Sequence, residues 1–494
     1  MSPATSPLRA SLFNLGWLSF GRFFGDAAIF LLLVVISRWH GEDGLGHYAF
    51  AMAFALFYAV AADLGIYLMF MREAAHARMP VAAYFGQVFS LGLGLSAAAL
   101  LGLLLTLLVA PLSSSTKMFL LVIGLYQLIY KLAEGCATLF LVVQKTHLGG
   151  ALEVAGKASA ALLASAMIVA GVDLPLALAA LPAVALCQLL AAWWLIVARI
   201  GRPRLTFELS PLLALLRGTG RYAASALQVP VYARADVIVL GLLVGTAAVG
   251  LYSAAFRLVF LLIILANLAS LAILPLVSKM YATSIEDYKA AYTATLRVAI
   301  LAVLPAAFGL ALIAPQLILF IFGPEFIEAG LILRILCATV VLFPLRSLLA
   351  IFLVSGGLQG ARARIEWLGA AVVWAACLVL VPLAGALGAA LALVIAEGTM
   401  AGLMLIRLLP LCGWPKVGSR IAISALAIAA FHVPALAWPA LPWPLIIVLS
   451  VAIYVLVLAL SADIRGTEYR LLRAAFARAP GPAPLTPPGP TGRR

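Results

Sequence analysis

Charged side chains are scarce in this 494-residue sequence: 10% of residues are Asp, Glu, Lys or Arg, against about 25% in an ordinary soluble domain. With 65% of residues hydrophobic and a mean hydropathy of +1.16, there is too little polar surface to cover a water-soluble globule, so the chain belongs in a bilayer. Period-2 alternation is missing as well. Apolar runs of about 20 residues recur instead, which excludes a membrane barrel and predicts an all-α polytopic protein; we count about fourteen spans. Cysteine is sparse: Cys136, Cys187, Cys337, Cys377 and Cys412 are scattered, with no CxxC pair and no histidine at ligand spacing. No disulfide framework, metal site or cofactor is expected from that pattern.

Acids are the scarcer sign, 18 against 32 Lys and Arg for a net charge of +14. In a soluble protein that excess would suggest nucleic acid; in a membrane protein it reports topology, and no nucleic-acid partner is expected. Numbered from a cytoplasmic N-terminus, the inner loops hold Arg9, Arg72, Arg78, Lys145, Arg199 to Arg221, Lys279, Lys289, Arg297, Arg362, Arg364, Arg407, Lys416, Arg420 and the tail from Arg465, while the outer loops hold only Arg38 and Lys117. Such asymmetry predicts both termini on the cytoplasmic side and an even number of spans. The first apolar run carries Arg22 and Asp26 and outlasts a signal peptide, so it reads as a retained helix.

Twelve spans fall in two sets of six. The first set runs from about Ser11 to Arg199; the longest basic loop, with an interfacial segment near LSPLLALLRGTGRY, separates it from the second, which ends near Arg407. We therefore expect an N-lobe over 1–205, a C-lobe over 206–412, two extra helices over 413–463 with Trp438 and Trp443 at their interface, and a basic amphipathic piece plus disordered tail over 464–494. Gly245, Gly250, Tyr252 and Ala255 repeat the spacing of Gly41, Gly46, Tyr48 and Ala51 at an offset of 204 residues. Six spans per half make the repeat parallel, about an axis along the membrane normal. Pro230, Pro275, Pro305 and Pro344 lie in or at the ends of spans, where they can kink helices and free carbonyls.

Seven cations fall inside spans: Arg22, Lys131, Lys157, Arg234, Arg257, Arg334 and Arg346. Facing lipid they would together cost on the order of 20 kcal/mol, more than a protein's net stability, so most must face a cavity or a partner. Three have acids at helical spacing: Arg22 with Asp26, Lys157 with Glu153, and Lys131 with Glu134. Arg257, Arg334 and Arg346 have no acid within one turn, which makes them anion-binding candidates, with snorkelling the alternative for Arg334 and Arg346. Arg234 and Asp236 are two residues apart and so point to different sides of a helix. Asp26, Asp63 and Glu397 are the candidate ion-coupling acids; capping a helix or bridging the lobes is the competing role for Asp63 and Glu397.

The segments GEDGLGHYAFAMAF, DLGIYLMFMREAA, RADVIVLGLLVGTAAVGLYSAAFRL and LFIFGPEFIEAGLILRIL resemble the polysaccharide-transport branch of the multidrug/oligosaccharidyl-lipid/polysaccharide flippase superfamily, the Wzx-type O-antigen flippases. That resemblance implies two six-helix bundles around a central cavity, alternating access in a bacterial inner membrane, and movement of an undecaprenyl-diphosphate-linked oligosaccharide to the outer leaflet. It implies that Arg22 and Arg234 line the cavity, with the other five cations as further substrate-binding candidates, and it brings polysaccharide-assembly membrane proteins in as partners. A lipid II-type flippase would use the same arginines. A drug/cation antiporter would want unpaired acids in the cavity, and a membrane glycosyltransferase or polymerase would need a large outer loop with catalytic carboxylates. The longest outer connection, about Ala314 to Phe326, holds only Glu325, so no enzyme is expected.

Overall fold

The computed structural model describes residues 7–74 and 79–418 with scattered positions from 421 to 454, and of residues 7–24, 221, 225, 229 and 264–272 the backbone alone. Of the two expected extra helices only those scattered positions are described, and Trp438, Trp443, the tail and the side chain of Arg22 lie outside the described residues.

The described chain is a helix bundle. In order come α1 (Pro7–Asp63), α2 (Ile66–Glu73), α3 (Val81–Val109), α4 (Ser114–Val142), α5 (Thr146–Val169), α6 (Leu174–Leu178), α7 (Ala180–Arg199) and α8 (Leu209–Gly218). Next are α9 (Gly220–Ala233), α10 (Ala235–Leu243), α11 (Thr246–Thr283), α12 (Ile285–Leu312), α13 (Ala314–Ile321), a 3₁₀ turn (Pro324–Phe326), α14 (Ala329–Ser355) and α15 (Gln359–Cys412). Among the described residues nine helices are long and apolar enough to cross a membrane, and α9 with α10 taken as one bent span makes a tenth. Two of them, α1 and α15, are really pairs joined across glycine kinks, at Gly41 (φ 64°) and Gly385 (φ 55°). Divided there, the described residues supply twelve spans, six before α8 and six after it. Positive φ at these kinks is reachable at little cost only by glycine.

Helices extend beyond the apolar runs at the basic end: α12 starts at Ile285, where the Ser284 hydroxyl accepts the Asp287 amide at 3.2 Å, so Lys289 and Arg297, expected in an inner loop, lie on a helix. The outer connection after α12 is likewise not a loop but α13 and the 3₁₀ turn. Exposed leucines such as Leu101, Leu105 and Leu108 on α3 give the bundle its lipid-facing surface, while buried Ala160, Ala161 and Ala164 on α5 let that helix pack close to α1.

Burial divides the molecule along the membrane normal. At the end that carries the Gly41 and Gly245 turns, one continuous apolar core joins both halves, from Leu32, Tyr48 and Leu120 to Tyr252, Ile332 and Val373. Toward the basic end there are two separate cores, one around Phe85 and Phe140 in the first half and one around Tyr292 and Phe352 in the second. The two repeat turns seal the joined end. A Cβ on Gly46 would lie 1.7 Å from the Thr246 carbonyl oxygen, and one on Gly250 would lie 1.9 Å from that of Glu42. Under the 204-residue offset Gly46 maps to Gly250 and Glu42 to Thr246, so the two contacts exchange, as a local pseudo-two-fold axis requires.

Candidate functional site: a cavity between the halves

The seventh span breaks at Arg234. Pro230 has no amide to donate and its ring crowds the turn before it; α9 ends at Ala233, Arg234 takes φ −134°, ψ 3°, and the two segments meet at 49°. The Val231 carbonyl, freed by the break, accepts the Trp374 indole N–H at 2.8 Å. Asp236 sits in the first turn of the new helix α10, where a carboxylate is favoured by the helix dipole. Its Oδ1 accepts the Val237 amide at 2.7 Å and its Oδ2 accepts the Tyr252 hydroxyl. Asp236 is thus held within the first turn of α10 by an amide and the Tyr252 hydroxyl, and not by an ion pair with Arg234.

Arg234 and Arg257 line one cavity of about 130 Å³ between the halves, with Ile29, Tyr48 and Met52 on α1 and Tyr252, Phe256 and Phe260 on α11. Both Nε atoms are buried and have no hydrogen-bond partner among the described residues. Arg257 lies over the Phe260 ring at 5.8 Å and donates from Nη2 to the main-chain oxygen of Asp26, across the interface, at 3.1 Å. An unsatisfied guanidinium N–H in a low-dielectric setting is costly, and two of them facing one cavity suit an anion with several acceptor oxygens. The aromatic wall was missed in the sequence, although Tyr252, Phe256 and Phe260 stand at i,i+4 spacing and their rings stack at 6.0 Å.

The other candidates are held elsewhere. Lys131 Nζ sits between Glu134 (2.9 Å) and Asp63 (3.1 Å), and Lys157 Nζ between Glu153 (3.0 Å) and Asp26 (3.5 Å). Each keeps the same-helix partner expected from spacing and gains a second acid from α1, so Asp63 is not unpaired and Asp26 binds Lys157. Arg346, expected without an acid, is buried against Glu397: Nε to Oε2 is 2.6 Å, and the Tyr232 hydroxyl donates to Oε1. The Phe343 ring lies 4.6 Å from its guanidinium. Glu397 therefore ties α14 and α9 to α15 within one half and does not bridge the two. Arg334 is exposed and donates to the Ala311 carbonyl at 3.3 Å, away from the cavity. Among the described residues no group of three or more His, Cys, Asp or Glu side chains could hold a metal ion.

A family model described as polysaccharide biosynthesis protein matches residues 11–281, more than half of the chain. The chain belongs to that family. No curated protein matches the sequence. Among solved structures, the chain is similar to lipid II flippase MurJ in an inward closed conformation (TM-score 0.74, 12% identity, 92% of this chain and 99% of that one). It is also similar to a multidrug resistance MATE family transporter in an inward-facing conformation (TM-score 0.61, 15% identity, 82% and 95% of the two chains). A third likeness is to a MOP superfamily transporter from Pyrococcus furiosus (TM-score 0.53, 16% identity, 84% and 96%). At these identities the likeness shows the fold alone: the chain shares the helical architecture of these three structures.

Proposed function

We propose that this protein is a flippase that carries a polyprenyl-diphosphate-linked oligosaccharide from the inner to the outer leaflet of the bacterial inner membrane by alternating access. One observation carries the reading: Arg234 and Arg257 bring two unsatisfied guanidinium N–H groups to a single aromatic-walled cavity between the halves. A diphosphate offers several acceptor oxygens, pairs of which the planar guanidinium fork of arginine can grip in bidentate fashion. Arg22 lies on the arm of α1 that borders the cavity and joins the grip in this reading. Lys131, Lys157 and Arg346 hold the lobes' helices together, and Arg334 faces outward.

The cation distribution supports a cytoplasmic location for both termini and the basic end, and in this reading the end sealed by Gly46 and Gly250 faces outward. The lobes run over 1–205 and 206–412, and polysaccharide-assembly membrane proteins receive the product. Cation antiport is disfavoured by the acids themselves, because Asp26, Asp63, Glu134, Glu153 and Glu397 are each within 4 Å of a lysine or arginine nitrogen. The test is reconstitution in liposomes with polyprenyl-diphosphate glycans, scored by protection from an external glycan-modifying probe. Protein-dependent exchange of these lipids, absent for a sugar-bearing phosphate-free lipid, is expected. No transport of any of them would remove the reading.

A further inference from the structure

A two-fold gate has two flanks, and here they differ. Ala110-Pro111 and Ala314-Pro315 stand at the same 204-residue offset as the gate turns, so the connections that follow them are equivalent. In the first half only residues 112–113 separate that proline from α4; in the second, α13 and the 3₁₀ turn intervene before α14. That insertion closes its flank. Arg38 donates from Nε to the Ile321 carbonyl at 3.0 Å and from Nη2 to that of Phe320, and Phe322 and Phe326 are buried against the gate.

On the other flank Arg38 is replaced by Leu242, its counterpart under the offset, and no inserted segment fills the space. A cavity of about 660 Å³ remains, lined by Asp43, His47, Phe54, Ser113, Ser115 and Thr116, with Gly245 and Thr246 across the gate. Its polar groups are hydroxyls, a carboxylate and an imidazole, and neither lysine nor arginine is among them. His47 is fixed: its Nδ1 bonds to the Asp43 carbonyl at 2.9 Å and its ring stacks on Phe119 at 4.9 Å. Ser113 and Thr116 hydroxyls lie 2.8 Å apart. A wall that pairs hydrogen-bonding groups with aromatic faces, and carries no cation, suits the hydroxyls and ring faces of a neutral sugar and not a phosphate. Phe54 also borders an apolar crevice of about 410 Å³ that runs on between Phe57, Ile238 and Trp374, an apolar surface next to the polar chamber.

We infer that this flank, between the second arm of α1 and α10, is a glycan subsite on the release side of the gate: it takes neutral sugar residues of the lipid-linked substrate while the prenyl chain lies in the adjoining crevice. The inference rests on the flippase reading and on the outward orientation of the gate. Ser115 is exposed in the first turn of α4, so Ser115→Trp fills the chamber without touching the core. Leu319, exposed on the inserted α13, is the control on the closed flank. In proteoliposomes with a polyprenyl-diphosphate oligosaccharide, Ser115→Trp is expected to lose flipping and Leu319→Trp to keep it. A benzophenone attached to Ser115→Cys is expected to cross-link the labelled glycan, one on Leu319→Cys is not, and sugar-free polyprenyl diphosphate should label neither. An inactive wild type would remove the flippase reading; an active wild type with Ser115→Trp equally active, or with equal cross-linking from both positions, overturns the subsite.

Discussion

At the residue scale the chemistry rests on which cations are free and which are spent on structure. Arg234→Ala is expected to weaken substrate binding by about tenfold to a hundredfold, the equivalent of about 1.5–3 kcal/mol for a charged hydrogen bond, with the protein still folded in detergent. Arg234→Lys should recover part of that loss, since an ammonium keeps the charge and loses the planar fork; binding of a labelled polyprenyl diphosphate to purified protein is the measurement. The Arg346 and Glu397 pair predicts the opposite pattern. Their side chains are 11% and 2% exposed, and stripping one partner from a buried pair costs about 3–5 kcal/mol whereas apolar replacement of both is often close to neutral. Glu397→Leu alone should therefore lower the thermal midpoint sharply, and Arg346→Met with Glu397→Leu should restore most of it. A double variant as unstable as the single one would mean that the pair is not the hub we describe. Pairs of this kind were invisible in the sequence because helical spacing finds only partners on the same helix. Glu134 for Lys131 and Glu153 for Lys157 were legible; Asp63, Asp26 and Glu397 come from other helices, and their contacts exist only once the bundle has packed.

At the scale of the element, the presence of the spans and the glycine turns was legible because hydropathy and glycine act locally, while the start of α12 and the helical connection after it were not. Pro230 marked the seventh span for a kink, but the position of the break, four residues later, depends on Trp374 capping Val231 from α15. The repeat of Gly41 and Gly46 at Gly245 and Gly250 was equally plain, while its meaning, two turns locked against each other, needed coordinates. That lock makes a prediction. Gly46→Ala and Gly250→Ala each force a methyl into a space under 2 Å from a carbonyl oxygen, so neither can leave the seal intact. Ser253 lines the cavity just beyond it. In a background without the native cysteines, Ser253→Cys should react slowly with a membrane-impermeant maleimide added from outside, and either alanine substitution should raise that rate to a similar extent. An unchanged rate in both variants would place the seal elsewhere.

For the molecule as a whole, the question is what drives transport. The three acids that could couple an ion, Asp26, Asp63 and Glu397, are each engaged by a resident lysine or arginine, so a mobile cation would have to displace a tethered one. On the flippase reading the proposed substrate supplies its own driving force. A diphosphate diester carries about two negative charges, and an inside-negative potential of about 100 mV favours its outward movement by about 2.3 kcal/mol per charge, or about 4.6 kcal/mol together. At about 1.4 kcal/mol per factor of ten this sustains a leaflet ratio on the order of a thousandfold, with no ion gradient required. In proteoliposomes holding a valinomycin-set potassium potential, outward accumulation should rise with the potential, stay unchanged when sodium or pH gradients are added, and collapse with a substrate whose diphosphate is replaced by a neutral linker. Accumulation that follows a sodium or proton gradient at zero potential would show that one of the paired acids releases its lysine or arginine during the cycle, and the first to examine would be Asp26, whose main chain Arg257 already holds from across the interface.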